Sequence, residues 1–186
     1  MTLMEILIIA LGLAMDALAV SVCATAGGGA RGPAAAMRLA LAFGFFQALM
    51  PLIGWLLGAQ LAGWFSAIDH WIAFGLLAVV GIRMIRSGCR PGCDVKGDPS
   101  RGLTLLMLAI ATSVDAFAVG ISLAMLGVSI WTPILVIGLV TAALSLLGAL
   151  AGRRLGCAAG TRLELAGGVL LLLIGARILW EHIRGG

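Results

Sequence analysis

The fold is decided by two ten-residue stretches, "GLAMDALAVS" at residues 12–21 and "ATSVDAFAVG" at residues 111–120. Each stretch places one aspartate, Asp16 or Asp115, near the middle of a long apolar run. A carboxylate at the centre of a membrane-spanning helix costs about 2.5–3.5 kcal/mol on insertion. Its occurrence at two matching positions therefore points to a functional role that the two acids share.

The composition is that of a membrane protein. Hydrophobic residues make up 62% of the 186-residue chain and charged residues only 11%, far outside the usual range for a soluble domain. Six apolar runs are long enough to cross a hydrocarbon core of ~30 Å, which takes about 20 helical residues. They lie at 3–26, 39–59, 69–86, 103–126, 131–152 and 164–181. The sequence therefore predicts an all-α membrane protein of six transmembrane helices, and no enzyme domain.

The two halves of the sequence match each other. A shift of 99 residues superposes the run around Asp16 on the run around Asp115, and a shift of 94 superposes three glycines on three others. These glycines are Gly44, Gly54 and Gly58 in the first half, and Gly138, Gly148 and Gly152 in the second. The sequence predicts two three-helix repeats, at 1–86 and 103–186, joined by a cytoplasmic linker at 87–102. Because three is odd, the repeats have inverted topology, a plan that transporters use to build a midplane site.

Positive charge is distributed unevenly over the predicted loops. Nine Lys and Arg residues lie in the first, third and fifth loops, whereas the opposite side carries essentially Arg184 alone. The positive-inside rule then puts those loops in the cytoplasm and both termini outside. Cys89 and Cys93 fall in the reducing cytoplasm, where free thiols or a transient soft-metal contact are the alternatives to a disulfide. No basic stripe is left to indicate a nucleic-acid partner.

Two carboxylates balance the charge of one divalent cation, and nearby polar residues add further oxygen atoms. Gln47 and its repeat mate Thr141 lie in the middle of their spans, and Thr112 precedes Asp115 by almost one turn. Oxygen ligands suit hard cations such as Mn²⁺, Mg²⁺ or Ca²⁺ and not Cu(I). The sequence predicts a metal site formed by Asp16, Asp115, Gln47, Thr112 and Thr141. The alternative is that these residues form hydrogen bonds between helices, with both acids protonated.

The energy source is inferred by elimination. The sequence has no GxxxxGKS/T loop or other nucleotide site, so transport driven by ATP on this chain is not expected. A secondary transporter remains. Two nearby carboxylates without metal retain at least one proton, because like charges oppose the ionisation of both, and an arriving cation displaces that proton. The hypothesis is an exchange of metal for protons across the lipid bilayer.

Five short motifs follow one another along nearly the whole chain: "GLAMDALAVS", "PLIGW", "HWIAFGLL", "GIRMI" and "ATSVDAFAVG". By these motifs the chain resembles the MntP-type manganese efflux pumps of bacterial inner membranes. The resemblance implies six helices, an inner-membrane location, export of Mn²⁺ as substrate with no resident cofactor, and functional weight on Asp16 and Asp115. Members of that family can have Glu at the position of Gln47, so this chain lacks a third carboxylate there, although an amide oxygen can still bind a cation.

Two other functions stay open at this point. An exporter of an amino acid or of another divalent cation has a similar architecture, and residue spacing does not exclude it. A membrane carrier of electrons between thiols and disulfides needs cysteines at matched positions of the two repeats. The repeat mate of Cys23 is Ser122, which disfavours the electron carrier.

Overall fold

The computed structural model describes residues 2–62 and 98–156, together with isolated helical positions at 82, 162, 165–166, 169, 172–173, 176 and 180. The two continuous ranges form four helices, which are α1 (Leu3–Ala26), α2 (Pro33–Ala62), α3 (Gly102–Met125) and α4 (Trp131–Leu155). No strand occurs among these described residues. All four helices are long and apolar enough to cross a membrane, so the chain is a multi-pass membrane protein.

The prediction of six transmembrane helices in two three-helix repeats is wrong for the described residues, which contain four such helices. The predicted runs at 69–86 and 164–181 lie mostly outside the described residues. They are the shortest of the six, and 18 residues make a helix of about 27 Å at ~1.5 Å per residue. That length is slightly less than the hydrocarbon thickness of ~30 Å. Apolar length alone is a weak basis for counting spans at this limit.

The predicted division of the chain into segments also depends on residues beyond those that the structure describes. The linker predicted at 87–102 falls mostly outside them, and so do Cys89 and Cys93. The division at 1–86, 87–102 and 103–186 therefore stays a prediction.

The first helix begins with a capping box. The Glu5 backbone N–H donates to the Thr2 hydroxyl oxygen over 3.3 Å, and the Thr2 N–H donates to the Glu5 carboxylate over 2.9 Å. These bonds satisfy N–H groups that the first turn leaves without helical partners. At the other end, Gly28 adopts the left-handed conformation with φ of 76°, which a glycine accepts without steric cost. Pro33 then starts α2, where a missing N–H is tolerated.

The helices pack in the order α1, α4, α2, α3. α1 packs along α4, and α2 packs along both α4 and α3, whereas α1 and α2 touch only slightly although they are neighbours in sequence. Two apolar clusters fill these interfaces, and each takes residues from at least three helices. The two halves of the described chain are therefore interleaved, and each helix has its main partner in the other half.

On α2, two glycines permit close approach to α3. A Cβ added at Gly54 would overlap the carbonyl oxygen of Phe117, and one added at Gly58 would lie 2.9 Å from the Cβ of Ala124. Small residues one turn apart allow helix backbones to come this close in a membrane. Because the residue numbers on both helices rise together along the contact, α2 and α3 run in the same direction.

On α4, the repeat mates of these glycines make the matching contact with α1. A Cβ added at Gly148 would lie 3.0 Å from the carbonyl oxygen of Leu18, and one at Gly152 would lie 2.7 Å from that of Val22. α1 and α4 therefore also run in the same direction. Leu18 is the mate of Phe117 under the shift of 99 residues, so the second interface repeats the residue pairing of the first.

The contact between α2 and α4 joins the two parallel pairs. A Cβ added at Gly44 would lie 2.7 Å from the Cβ of Ala142, and one at Gly138 would lie 3.0 Å from that of Ala48. The numbers on one helix rise as those on the other fall, so α2 and α4 are antiparallel. The α1–α4 pair and the α2–α3 pair consequently point in opposite directions.

Polar contacts tie α2 to the chain at both of its ends. Near its start, Arg38 Nε donates to the Ser100 carbonyl oxygen over 2.9 Å and Nη2 donates to the Ser100 hydroxyl over 3.0 Å. The Ser100 hydroxyl and backbone N–H in turn donate to Asp98 over 2.7 and 2.9 Å, which lowers the pKa of that carboxyl. Toward the other end, the Trp55 indole N–H donates to the Val128 carbonyl oxygen over 2.9 Å.

Candidate functional site

Asp16 and Asp115 occupy equivalent positions in two helices of equal length. α1 and α3 each contain 24 residues, and each acid lies 13 residues after the helix start, as 16 − 3 and 115 − 102 show. This is about 20 Å from one end of the helix and about 15 Å from the other at ~1.5 Å per residue. Asp115 is 5% exposed and Asp16 is half-buried. Both acids are thus held at mid-depth of a membrane-length helix.

Gln47 connects α2 to the turn of α1 that carries Asp16. Its side chain is 1% exposed, and its Nε2 donates to the carbonyl oxygen of Leu13 over 3.3 Å. Leu13 precedes Asp16 by one turn. Because α1 and α2 touch only slightly elsewhere, this hydrogen bond is what relates the α2 residue of the predicted site to α1.

Thr112 lies on α3, three residues before Asp115 and buried. Its hydroxyl donates within the helix, over 3.0 Å to the Leu108 carbonyl oxygen and 3.1 Å to that of Ala109. This satisfies the donor, while the oxygen of a hydroxyl keeps its lone pairs for another donor or a cation. Thr112 therefore places a neutral hydroxyl oxygen about one turn from Asp115, and hydrogen bonds to the backbone of α3 orient this hydroxyl.

Thr141 is wholly buried on α4, and its hydroxyl has no hydrogen-bond partner within residues 2–62 and 98–156. A buried hydroxyl left without a partner costs about 1–3 kcal/mol. Thr141 follows Gly138 by three residues, and Gly138 lies against Ala48, the residue next to Gln47. The two repeat mates Gln47 and Thr141 thus lie within about one turn of each other along the α2–α4 contact.

The position of Asp115 relative to Gln47 follows from the α2–α3 contact. Gly120 of α3 packs against the backbone of Pro51, one turn after Gln47 on α2. Asp115 precedes Gly120 by five residues, about 7.5 Å along the helix axis, so it lies near the level of Gln47. The described ranges hold no group of three or more His, Cys, Asp or Glu side chains suited to a metal. A cation site here would need the two acids and neutral oxygens together.

Two further buried hydroxyls were not predicted from the sequence. Ser21 on α1 and Ser145 on α4 are each wholly buried, and neither hydroxyl has a partner in the part of the chain that the structure describes. A signal for Ser145 does exist in the sequence. It lies four residues after Thr141 and three before Gly148, on the same helical stripe.

The structure also describes Cys23 and its repeat mate Ser122, the pair of positions at which an electron carrier would need two cysteines. Cys23 is half-buried on α1, and it forms no disulfide within the described residues. Its repeat mate Ser122 is buried on α3, where the hydroxyl donates to the Ala118 carbonyl oxygen over 3.0 Å. This matched pair of positions holds a single thiol.

Sequence comparison identifies similar proteins along nearly the whole chain. A protein-family model described as "Putative manganese efflux pump" matches residues 32–179. The chain is 45% identical to the "Putative manganese efflux pump MntP" of Syntrophotalea carbinolica over 180 residues, which cover 95% of each protein. It is 52% identical to the protein of the same name from Citrifermentans bemidjiense over 184 residues, 96% of each.

A third protein of this name, from Nitratidesulfovibrio vulgaris strain DP4, is 48% identical over 186 residues, which cover 98% of this chain and 92% of that one. No solved structure matches the chain. The similarity therefore rests on sequence, and it covers all four described helices.

Proposed function

The chain belongs to the family described as "Putative manganese efflux pump", and on this premise we propose that it exports Mn²⁺ from the cytoplasm as a secondary transporter. Membership makes it a transporter and not an enzyme, which removes the electron carrier from consideration. The observation that carries the proposal is the pair of acids. Asp16 and Asp115 both lie near the middle of helices of equal length, and acids at such a depth mark ion pathways in membrane proteins.

In the proposed site, the two carboxylates supply the charge and three neutral residues complete the ligand set. Gln47 is anchored through its Nε2 to α1, so the oxygen at the other end of the same amide is the atom available for a cation. Thr112 and Thr141 contribute hydroxyl oxygens from α3 and α4. An all-oxygen set of this kind suits Mn²⁺ and other hard dications. The ion is the substrate, and no resident cofactor is invoked.

The coupling ion in this proposal is the proton. Without a dication, two carboxylates in a medium of low dielectric repel each other, which favours retention of a proton. A dication that binds between them reverses the balance and displaces it. Each transport cycle then moves Mn²⁺ in one direction and protons in the other, and needs no nucleotide.

Alternating access follows from the way that the helices are paired. The α1–α4 pair and the α2–α3 pair point in opposite directions and meet where Gly44 lies against Gly138 and Ala142. A contact made by small residues has few interlocking side chains, so one pair can shift against the other. We propose that this shift exposes the midplane site to one side of the membrane at a time, as it does in transporters built on inverted elements.

The proposed orientation in the bacterial inner membrane puts the connection at 27–32 in the cytoplasm and the N-terminus outside. The excess of Lys and Arg in the first, third and fifth predicted loops supports it. The bonds from Arg38 to Ser100 also support it, because they join the start of α2 to the segment before α3. Both of these belong to predicted cytoplasmic loops.

A metal-by-metal growth and content assay tests the function. The chain is expressed in bacteria that lack their own manganese exporter, and growth is measured with added Mn²⁺, Mg²⁺ or amino acids. We expect protection against Mn²⁺ and a lower cellular Mn²⁺ content. Unchanged or higher Mn²⁺ content would refute Mn²⁺ export. Protection against amino acids alone would indicate that the protein is an amino-acid exporter.

A second assay tests the coupling. Purified protein in liposomes that contain a pH-sensitive dye should move protons when Mn²⁺ is added on one side, and Cys23→Ser serves as a control that keeps both acids. Mn²⁺ flux without any proton movement would remove the exchange mechanism and leave Mn²⁺ export standing.

A further inference from the structure

Two interfaces of the bundle, α1–α4 and α2–α3, are built alike but differ in polarity. Their glycines correspond under the shift of 94 residues, and both are parallel contacts. At three pairs of matching positions, a residue with a hydroxyl on α1 or α4 corresponds to a residue without one on α3 or α2. The pairs are Ser21 and Gly120, Thr25 and Ala124, and Ser145 and Pro51.

Three buried hydroxyls on α1 and α4 differ from the other buried hydroxyls of the described residues. Ser21, Thr141 and Ser145 are each fully buried, and none has a hydrogen-bond partner among the described residues. By contrast, the hydroxyls of Thr112 and Ser122 donate to carbonyl oxygens of their own helix. A buried polar group left in this state calls for a water or an ion as its partner in another state.

The three hydroxyls lie along one line that begins at the level of the acids. Thr141 and Ser145 continue the stripe of Gly148, and Gly148 lies against Leu18 and near the Cβ of Ser21. Because α1 and α4 are parallel, the turn from Thr141 to Ser145 is level with the turn of α1 that carries Asp16. Ser21 is about 7.5 Å further along α1, roughly halfway from Asp16 to the helix end at Ala26.

We propose that the α1–α4 interface opens to form a hydrated passage for the divalent cation, lined by Ser21, Thr141 and Ser145. It leads from the level of Asp16 to the end of the bundle that carries the 27–32 connection. The passage is closed in the conformation described, because the glycine contacts hold α4 against α1. When the helices part, the hydroxyls bond water or replace water molecules of the hydrated ion.

This inference rests on the proposed function for the identity of the cation, and on the proposed orientation for its direction. In that orientation the passage faces the cytoplasm, so it is the route by which the ion reaches the site. The α2–α3 interface has Gly120, Ala124 and Pro51 at the matching positions, and we assign it no such lining.

Thiol labelling tests the passage directly. In a variant with all four cysteines replaced by serine, Ser21→Cys and Ser145→Cys are compared with Ser122→Cys, whose parent hydroxyl is buried but partnered. A water-soluble, cationic methanethiosulfonate reagent is applied to inside-out and to right-side-out vesicles. We expect labelling at 21 and 145 from the cytoplasmic side, several-fold faster than at 122 and slowed by Mn²⁺. Absence of labelling at 21 and 145, or equal labelling at 122, would overturn the proposal.

Transport rates supply the second measurement. Removing a buried hydroxyl that has no partner leaves stability unchanged or raises it, so the double variant Ser21→Ala/Ser145→Ala should fold. We expect a several-fold lower turnover for Mn²⁺ with unchanged binding affinity, whereas Ser122→Ala transports like the parent protein. An unchanged rate in the double variant would contradict the passage.

The labelling outcome also separates this inference from the function on which it rests. Labelled cysteines at 21 and 145 in a protein that does not lower cellular Mn²⁺ would keep the passage and remove Mn²⁺ as its substrate. If the protein exports Mn²⁺ while cysteines at positions 21 and 145 stay unlabelled, Mn²⁺ export stands and the passage is refuted.

Discussion

The α1–α4 and α2–α3 interfaces share their backbone packing but carry different polar side chains. In each of them a Gly-x-x-x-Gly pair lies against the backbone of a parallel partner. The residues that precede these glycine pairs differ, since α4 carries Thr141 and Ser145 where α2 carries Gln47 and Pro51. The glycines therefore determine how closely the helices approach, and the other positions of the same stripe can differ in polarity between the two interfaces.

The same contrast applies to the centre of the bundle. Gln47 reaches α1 and is held there by a hydrogen bond to Leu13, whereas its mate Thr141 is short, buried and without a partner in the described residues. One of the two matched positions thus holds a hydrogen-bonded side chain in this conformation, and the other holds a hydroxyl without a partner among the described residues. Matching positions in a repeat need not have matching roles.

The two acids are where the halves should behave most alike, and here the largest effect is expected. Asp16→Asn and Asp115→Asn should each abolish Mn²⁺ transport while the protein still inserts, because one remaining charge neutralises a dication poorly and one fewer charge is easier to bury. Export from proteoliposomes and protein content of the membrane are the measurements. Cys23→Ser, a control on α1, should transport like the parent.

Unequal results for Asp16→Asn and Asp115→Asn would show that the two acids have different roles. If one of the Asn variants kept substantial transport, that acid would be structural and the site would belong to one half of the bundle.

Both corresponding glycines should respond to an added side chain, Gly54 more strongly, because its added Cβ would overlap a backbone oxygen whereas the one at Gly148 would lie 3.0 Å from it. Gly54→Val and Gly148→Val each force a side chain against a backbone carbonyl of the partner helix, and overpacking of this kind costs about 1–3 kcal/mol. Thermal unfolding in detergent measures it, with Leu139→Val at an exposed position of α4 as the control. A loss confined to one glycine would show that the interfaces differ in packing as well as in polarity.

Introducing a carboxylate at position 47 tests whether Gln47 belongs to the site. Gln47→Glu should tighten Mn²⁺ binding near neutral pH about tenfold, or ~1.4 kcal/mol, because a third charge faces the ion. Binding should also become more sensitive to acid, since protons compete for the added carboxylate. Mn²⁺ titrations from pH 5 to 8 test this, and Gln47→Ala is the control that removes the oxygen.

A faster export rate is not expected to accompany the tighter binding, because an ion held more strongly leaves more slowly. Affinity and pH profiles identical to those of the parent would place Gln47 outside the site.

The smallest effect is expected at the contact between Arg38, Asp98 and Ser100. The pKa of Asp98 is lowered chiefly by the hydrogen bonds from Ser100, so its contribution to stability is present above its ordinary pKa and is lost as the pH falls through the lowered value. Asp98→Asn should therefore cost less than ~1 kcal/mol at neutral pH, as surface ion pairs do.

The difference in melting temperature between the Asp98→Asn variant and the parent should shrink toward zero in acid. A difference that stayed constant over the whole pH range would show that the carboxylate charge at this end of α2 does not contribute.

Part of this architecture could be predicted because it depends on local composition. Helix bounds follow apolar runs, so α1 and α3 begin and end within one residue of the predicted spans. α2 begins at Pro33, six residues before the predicted start, because hydropathy falls near Arg38 while helical hydrogen bonds continue through it. The length of a membrane-spanning apolar run and the length of a helix are different quantities, and hydropathy measures only the first.

The interleaved packing could not be predicted, because a repeat shows which residues correspond and not which helices touch. Leu18 contacts Gly148, although nothing in the sequence match between the two halves indicates that these two residues are close. The bond from Gln47 to Leu13 depends on that packing in turn, and so does the burial of Ser21. The five residues of the predicted metal site stay a prediction, and the two acids are the part for which the sequence argued most directly.

The interleaved order of the helices also has a consequence for biosynthesis. α1 and α2 leave the ribosome first, yet they touch each other only slightly, and each has its main partner among the described helices in one made later. A nascent chain that ends before α3 therefore lacks the close contact of Gly54 and Gly58 with that helix. Because these contacts form only once α3 and α4 are made, two separately synthesised halves of this chain should be able to find each other in the membrane.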